Sequence, residues 1–339
     1  MGVNLTPLIE KKILTLNDLR GRSFAVDAYV ILHQFLALIR MRDGTPLVDL
    51  EGHVTSHLVG LAFRTTRLIA DYGLNLIFVF DGVPPEIKME EVEKRRKARE
   101  RAEEEYRNAV QAGFMQKAFS KAVMTGRLTT EGVADAKTLL TLLGISWVQA
   151  PGEGEAEAAY ITRKGDVWAC NSQDYDSLLY GAPRLVRYIT IQGEEWLPSL
   201  QRGRKLEPEI IELERQLNKL QLTREQLIDL AILIGTDYNK GIPGVGPKKA
   251  LKMIREYGCL EDVPLKFLEN MPRNITDIRH QFLSPEVTDN YTFSGGEIDE
   301  AGLYNFLCRK HNFSKEHVDI LVNRMKKSQH QKNLNNWLK

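Results

Sequence analysis

Four short apolar runs, each followed within a few residues by carboxylates, constrain this chain more than anything else in it. Residues 23–26 (S-F-A-V) precede Asp27, residues 76–80 (L-I-F-V-F) precede Asp81, residues 145–148 (I-S-W-V) precede Glu153 and Glu155, and residues 166–170 (D-V-W-A-C) precede Asp174 and Asp176. Runs this short, apolar or β-branched and bounded by turn or polar residues, read as buried strands. Between them, residues 58–70 and 133–143 carry helical patterns, the second opened by Thr129 and Thr130 as N-cap candidates. The alternation predicts an α/β fold with a mostly parallel central sheet flanked by helices on both faces. The carboxyl ends of parallel strands form one edge, where ligands bind, so six carboxylates from four segments converge on one cleft. Asp237, closing the apolar run A-I-L-I-G-T-D, is a seventh candidate.

Carboxylates packed this closely repel one another and need protons or cations between them. Hard divalent ions with oxygen ligands, Mg²⁺ above all, are the economical answer. Two such ions suit an in-line phosphoryl displacement, because they stabilise both the attacking and the leaving oxygen. Cys170, Cys259 and Cys308 are too few and too dispersed for a zinc site or a disulfide framework. Any one of these acids taken alone reads equally as a helix N-cap or a turn former. The full set, with its E-G-E and D-Y-D doublets, points to a site.

The chain has 339 residues, 43% hydrophobic and 27% charged, which excludes disordered and collagen-like classes and leaves room for one large α/β domain or two smaller ones. Its 46 basic against 45 acidic residues give a net charge of +1, silent about any polyanionic partner. Once the seven candidate acids are set aside, however, the remainder is clearly basic. No apolar run approaches the ~18 residues of a spanning helix, and the opening M-G-V-N-L-T-P lacks a secretory core. No membrane association and an intracellular, reducing setting are expected. Gly2 with Thr6 also fits a myristoylation pattern, one short enough to recur by chance.

Basic features complement the acids. G-I-P-G-V-G-P-K-K-A, from Gly241 to Ala250, is a glycine-rich turn opening a basic helix, read as the hairpin of a helix-hairpin-helix motif. There Gly244 and Gly246 let backbone amides approach phosphates, with Lys248, Lys249, Lys252 and Arg255 following. A tight helix-helix turn is the plainer alternative. Lys88 and the run from Lys94 to Lys97 follow Asp81 closely enough to reach a phosphate held at the acids, although ion pairing with acidic neighbours accounts for most of that run. Residues 86–127 are a charged helical stretch turning amphipathic near Phe114, Met115 and Phe119, either a solvated helix or an insertion crossing the cleft. His33 and Arg40, expected on the helix after Asp27, are candidates for stacking on a base and contacting phosphate.

Together these motifs resemble the flap endonucleases, structure-specific 5′ nucleases of archaeal and eukaryotic type. The resemblance rests on A-V-D-A-Y, Q-F-L-A-L-I-R, T-S-H-L-V-G, V-F-D-G-V-P-P-E-I-K, P-G-E-G-E-A-E-A-A, N-S-Q-D-Y-D-S-L-L-Y-G and G-T-D-Y-N-K-G-I-P-G-V-G-P-K-K-A, in family order. It implies a PIN-like 5′ nuclease fold with a helical arch and an H2TH-type DNA-binding element. The implied organisation is a nuclease region at 1–98, an arch at 99–125, a second nuclease region with the hairpin at 126–258, a helical region at 259–328 and a clamp-binding tail at 329–339. By resemblance, Asp27, Asp81, Glu153, Glu155, Asp174, Asp176 and Asp237 are ligands of two Mg²⁺ ions, Mn²⁺ substituting, while Lys88 and Arg95 act on the scissile phosphate. Gly2 then falls beside the DNA junction and Thr55 near a pocket for a one-nucleotide 3′ flap; a monovalent cation is implied at the hairpin of residues 241–246. Gln331, Leu334, Trp337 and Leu338 resemble a sliding-clamp (PCNA) binding box, with Leu338 where a second aromatic is usual. His33 stands where the family commonly has a stacking Tyr, and Glu157 adds an acid on the helical face of Glu153.

The expected activity is cleavage of branched DNA at 5′ flap junctions with 5′-3′ exonuclease activity, by a monomer serving replication (Okazaki fragment processing) and repair. Two rivals stand beside it: a related 5′ nuclease of other junction or RNA preference, and a non-catalytic DNA-binding clamp adaptor.

Overall fold

The computed structural model describes residues 2–41, 45–112, 128–190, 193–197, 202–264, 274–293 and 295–337. Its strands are β1 Lys12–Ile13, β2 Ser23–Asp27, β3 Asn75–Phe80, β4 Trp147–Gln149, β5 Ala169–Asn171, β6 Arg184–Arg187, β7 Gly193–Leu197, β8 Arg202–Leu206 and β9 Glu209–Glu212. Its α-helices are α1 Ala28–Leu38, α2 Ser56–Val59, α3 Thr66–Tyr72, α4 Met89–Gln111, α5 Thr130–Leu142, α6 Gly154–Lys164 and α7 Asp176–Leu179, then α8 Leu213–Leu220, α9 Arg224–Ile234, α10 Pro247–Tyr257, α11 Ile275–Leu283, α12 Glu300–Leu303 and α13 Lys315–Trp337.

Among the described residues a seven-stranded sheet runs in the order β1-β9-β6-β5-β2-β3-β4. The five strands from β6 to β4 are parallel, and β9 and β1 add an antiparallel flank. All four sequence-predicted strands lie in the parallel block, with β4 and β5 starting two and three residues later than expected. β6 and β9 escaped prediction because R-L-V-R and E-I-I-E set only two apolar residues between charges, too few to display a period. β7 and β8 form a separate antiparallel hairpin.

Each strand divides its side chains between two cores, as the period of two demands. Ala25, Ile77, Val79 and Cys170 face one core with the small residues of α6 and the apolar faces of α9 and α10. Phe24, Val26, Phe78 and Phe80 face the other, shared with α1, α3, α5 and the buried Val318, Leu321 and Val322 of α13. Helices thus cover both faces and leave the carboxyl edge open. α5 begins where predicted, Thr129 Oγ1 accepting from the Gly132 amide at 3.0 Å. The predicted helix over 58–70 is instead α2 and α3 joined through a wide π-turn at Gly60–Thr65. α4 crosses position 98 unbroken, whereas 113–127, holding Phe114, Met115 and Phe119 and the rest of the expected arch, lies outside the described residues. The helical backbone of α13 carries Gln331, Leu334 and Trp337, while Leu338 lies outside the described residues.

Candidate active site

The carboxyl edge of the parallel strands brings the predicted acids together. Asp27 ends β2 and caps α1, its Oδ1 accepting from the Val30 amide at 3.0 Å. Asp81 follows β3, and its Oδ1 accepts from the Gly154 amide at 2.7 Å. Glu153 is the N-cap of α6 and Glu155 lies in its first turn. Asp174 and Asp176 follow β5, Asp176 opening α7 and accepting from the Val3 amide at 2.7 Å. Asp237 arrives from a different kind of element, since its apolar run is the buried end of helix α9.

Two of these contacts require glycine. A Cβ on Gly154 would stand 2.6 Å from Asp81 Oδ1, and one on Gly2 would overlap the Asp176 carboxylate. Gly2, expected beside DNA, therefore lies against an acid of the cluster, and with Asp237 it lines a cavity of about 320 Å³.

The electrostatics report how tightly the acids are packed. Burial, then Asp81 and Asp174, raises the Asp27 pKa to about 8. Burial and Glu153 raise Asp81 to about 6, and burial with Asp237 and Asp174 raises Asp176 to about 7. Glu155 is pushed well above the usual carboxylate range by burial, Asp174, Asp176 and Asp27. Burial would raise Asp237 too, but Arg95 and Lys88 outweigh it and hold that carboxyl low. Arg95 Nη2 lies 2.7 Å from Asp237 Oδ2, and Lys88 pairs with Glu153 and lies 3.5 Å from Asp237. The other bases of α4 match the plainer reading: Lys94 pairs with Glu91, and Arg96 and Lys97 pair with Glu93.

The donor set fits a hard divalent cation: it is all oxygen and crowded, and its raised pKa values come from burial and from like charges lying together. Among the described residues no group of three or more His, Cys, Asp or Glu side chains encloses a ready-made metal cage. The carboxylates are turned instead to protein donors, which a cation would replace. α1 and α6 both start at this edge, so their amide dipoles point positive ends at the cleft.

Sequence reasoning missed the groups that orient these acids. Ser172 Oγ lies 2.6 Å from Glu155 Oε1 and 3.4 Å from Asp27 Oδ2, and Ser177 Oγ donates to Glu155 Oε1 at 3.0 Å. Gln149 Nε2 donates to the Asp81 carbonyl at 2.6 Å. The serines were visible in N-S-Q-D-Y-D-S, flanking the doublet; the Val3 amide and Gln149 left no signal in the sequence.

The remaining expected residues are dispersed over the molecule. Gly244 and Gly246 are exposed in the turn from α9 to α10, with Gly246 capping α10, and Lys248 and Lys249 are exposed in the first turn of α10. Arg255 instead bonds the Leu220 carbonyl, at 2.8 Å from Nη2. His33 lies on α1 facing α4, where burial, then Arg99 and Arg95, lowers its pKa. Arg40 lies beyond α1, which ends at Leu38, so its expected place on that helix is corrected; it sits near Tyr106 of α4. Thr55 is buried at the start of α2 and Glu157 faces away from the cluster, its Oε2 accepting from the Thr288 amide at 2.8 Å.

Known proteins place this geometry in a family. The XPG N-terminal domain model matches residues 1–102 and the XPG I-region model residues 144–237, spans that contain all seven acids. Flap endonuclease 1 of Pyrococcus furiosus is 48% identical over 343 aligned positions, covering 100% of both chains. The structure of flap endonuclease-1 from Methanococcus jannaschii superposes with a TM-score of 0.78 at 38% identity, covering 98% of this chain and 100% of that one. The catalytic core of Rad2 in complex with DNA substrate shares the fold, with a TM-score of 0.68 at 22% identity over 95% of this chain and 97% of its own. The chain belongs to the flap endonuclease family.

Proposed function

We propose that this protein is a divalent-cation-dependent, structure-specific nuclease that hydrolyses phosphodiester bonds where a 5′ single strand leaves duplex DNA, with accompanying 5′-3′ exonuclease activity. Okazaki fragment processing and repair are the corresponding roles. The carrying observation is the edge itself: seven carboxylates with Lys88 and Arg95 among them, at the start of two helices. When bound, two Mg²⁺ ions, or Mn²⁺ in their place, would activate water and neutralise charge on the phosphoryl group. Asp27, Asp81, Glu153, Glu155, Asp174, Asp176 and Asp237 would hold them, directly or through waters.

The chain's own cations do the rest. Lys88 and Arg95 are held at the cluster by Glu153 and Asp237, and a phosphate arriving there competes for both. Their charge then falls where the transferred group becomes more negative, which favours the transition state over the bound substrate. The exposed α9–α10 turn presents backbone amides and Lys248 and Lys249 to phosphates, a mode that positions duplex without reading bases. A monovalent cation at residues 241–246, a sliding-clamp partner for the tail and a monomeric state belong to the same reading. A panel of end-labelled 5′ flap, nicked, bubble, Holliday-junction and RNA substrates, with Mg²⁺ and with chelator, tests it. Cleavage confined to Mg²⁺ and fastest on the flap is expected; equal or greater turnover of bubble, junction or RNA, or none of any, would overturn it.

A further inference from the structure

Between the two acids of D-Y-D stands Tyr175, buried at 5% exposure, and its ring is held from one side by Arg187. Arg187 closes β6, beside the end of β5, where Asn171 pairs with Val186. Its guanidinium carbon lies 4.7 Å from the Tyr175 ring centre and 4.8 Å from that of Tyr188. Nη1 donates to Tyr175 Oη and Nη2 to Tyr188 Oη, both at 2.9 Å. Thr6 Oγ1 adds a contact to Tyr175 Oη at 3.3 Å, and Glu209, held by Lys11 at 2.6 Å, lies 3.7 Å from Nη1.

This arrangement carries two costs. Arg187 Nε is buried with no acceptor among the described residues, and Tyr188 adopts φ 60°, a left-handed conformation that an aromatic residue rarely takes. Strain of this kind persists where its surroundings over-determine it, and it concentrates at functional sites. Through Arg187 the strained Tyr188 is tied to the Tyr175 ring, and Tyr175 is the residue whose backbone joins Asp174 to Asp176.

We propose that Arg187 is a positioning residue for the acidic site, acting through Tyr175 to set the separation and direction of Asp174 and Asp176. The inference rests on the proposed metal-dependent reading of those acids. Arg187 touches neither the acids nor the substrate. Groups bonded directly to a metal ligand typically change metal affinity or activity about 10- to 100-fold when removed, and Arg187, one residue further out, belongs at the lower end of that range.

The test compares wild type with Arg187→Ala, Arg187→Lys and Tyr175→Phe. Mg²⁺ half-saturation is measured in flap cleavage, and Mg²⁺ binding in the absence of DNA is measured by calorimetry and by the Mg²⁺-induced rise in Tm. Arg187→Ala should raise the half-saturating Mg²⁺ about tenfold or more and shrink the Tm rise, with KM for DNA unchanged within about twofold. Arg187→Lys keeps the charge over the ring and should fall between. Tyr175→Phe, which keeps the ring stack and loses only Oη, should lie closer to wild type than Arg187→Ala. If Arg187→Ala does not fold, the Lys variant carries the comparison. Lowered Tm with unchanged Mg²⁺ half-saturation and unchanged direct binding would make Arg187 merely structural and overturn the inference. A wild-type protein that neither binds Mg²⁺ nor cleaves would instead overturn the functional reading beneath it.

Discussion

Gly154 shows how a residue without a side chain can belong to a carboxylate site. Its amide holds Asp81 Oδ1 at 2.7 Å, and the space a Cβ would need is the space that carboxylate fills. Gly154→Ala should therefore displace Asp81 and slow flap cleavage about 10- to 100-fold, with Tm lowered by only a few degrees; cleavage kinetics beside a melting curve check it. Ser172 acts through protonation. Its hydroxyl lowers the Glu155 pKa against burial and the neighbouring acids, so Ser172→Ala should raise that pKa further. The acid limb of the pH–rate profile should move to higher pH, and an unmoved limb would speak against this role. The acids were legible in the sequence because each follows an apolar run. Their orienting partners were not, because an amide at Val3 or a hydroxyl at Ser177 looks the same in any other chain.

The sheet edge behaves as one titrating element. Asp27, Asp81, Asp176 and Glu155 all have folded-state pKa values above their ordinary ones, so near neutrality the cation-free folded protein binds more protons there than the unfolded chain. Stability from these groups is complete below about pH 4, the ordinary carboxylate value, and is lost as pH rises through about 6, 7 and 8. In chelator, Tm should accordingly fall between pH 5 and pH 8. Adding Mg²⁺ should raise Tm more at pH 8 than at pH 5, because binding must displace those protons. A chelated protein whose Tm rises over this interval would contradict the packing of the acids. At this scale four of the five parallel strands were readable from apolar runs with turn residues between them. β6 and the antiparallel β9 and β1 were not, because their apolar segments are at most two residues long.

Across the whole molecule, near-neutral net charge conceals an acidic cleft beside basic surfaces. Replacing Lys248 and Lys249 together by Glu should weaken DNA binding and make the slope of log affinity against log salt shallower by about 2, with the single-turnover cleavage rate at saturating protein nearly unchanged. Long-range ties that complete the fold were invisible beforehand. His311 Nδ1 meets Asp49 at 3.2 Å across 262 residues of sequence, and its Nε2 lies 3.4 Å from Asp135, joining three segments through buried side chains. No single-sequence pattern predicts such a meeting, whereas the acids of the cleft could be read residue by residue. In the proposed reaction, carboxylates on one sheet edge, gathered from strands, helix starts and the loop after α9, hold the cations that hydrolyse phosphodiesters. Asp174→Ala tests it most directly, assayed for Mg²⁺-dependent cleavage of a 5′ flap and, in parallel, for binding of the same DNA. Cleavage reduced at least a thousandfold, about 4 kcal/mol of barrier, with DNA affinity kept within a few-fold is the expected result; turnover near the wild-type rate would contradict it.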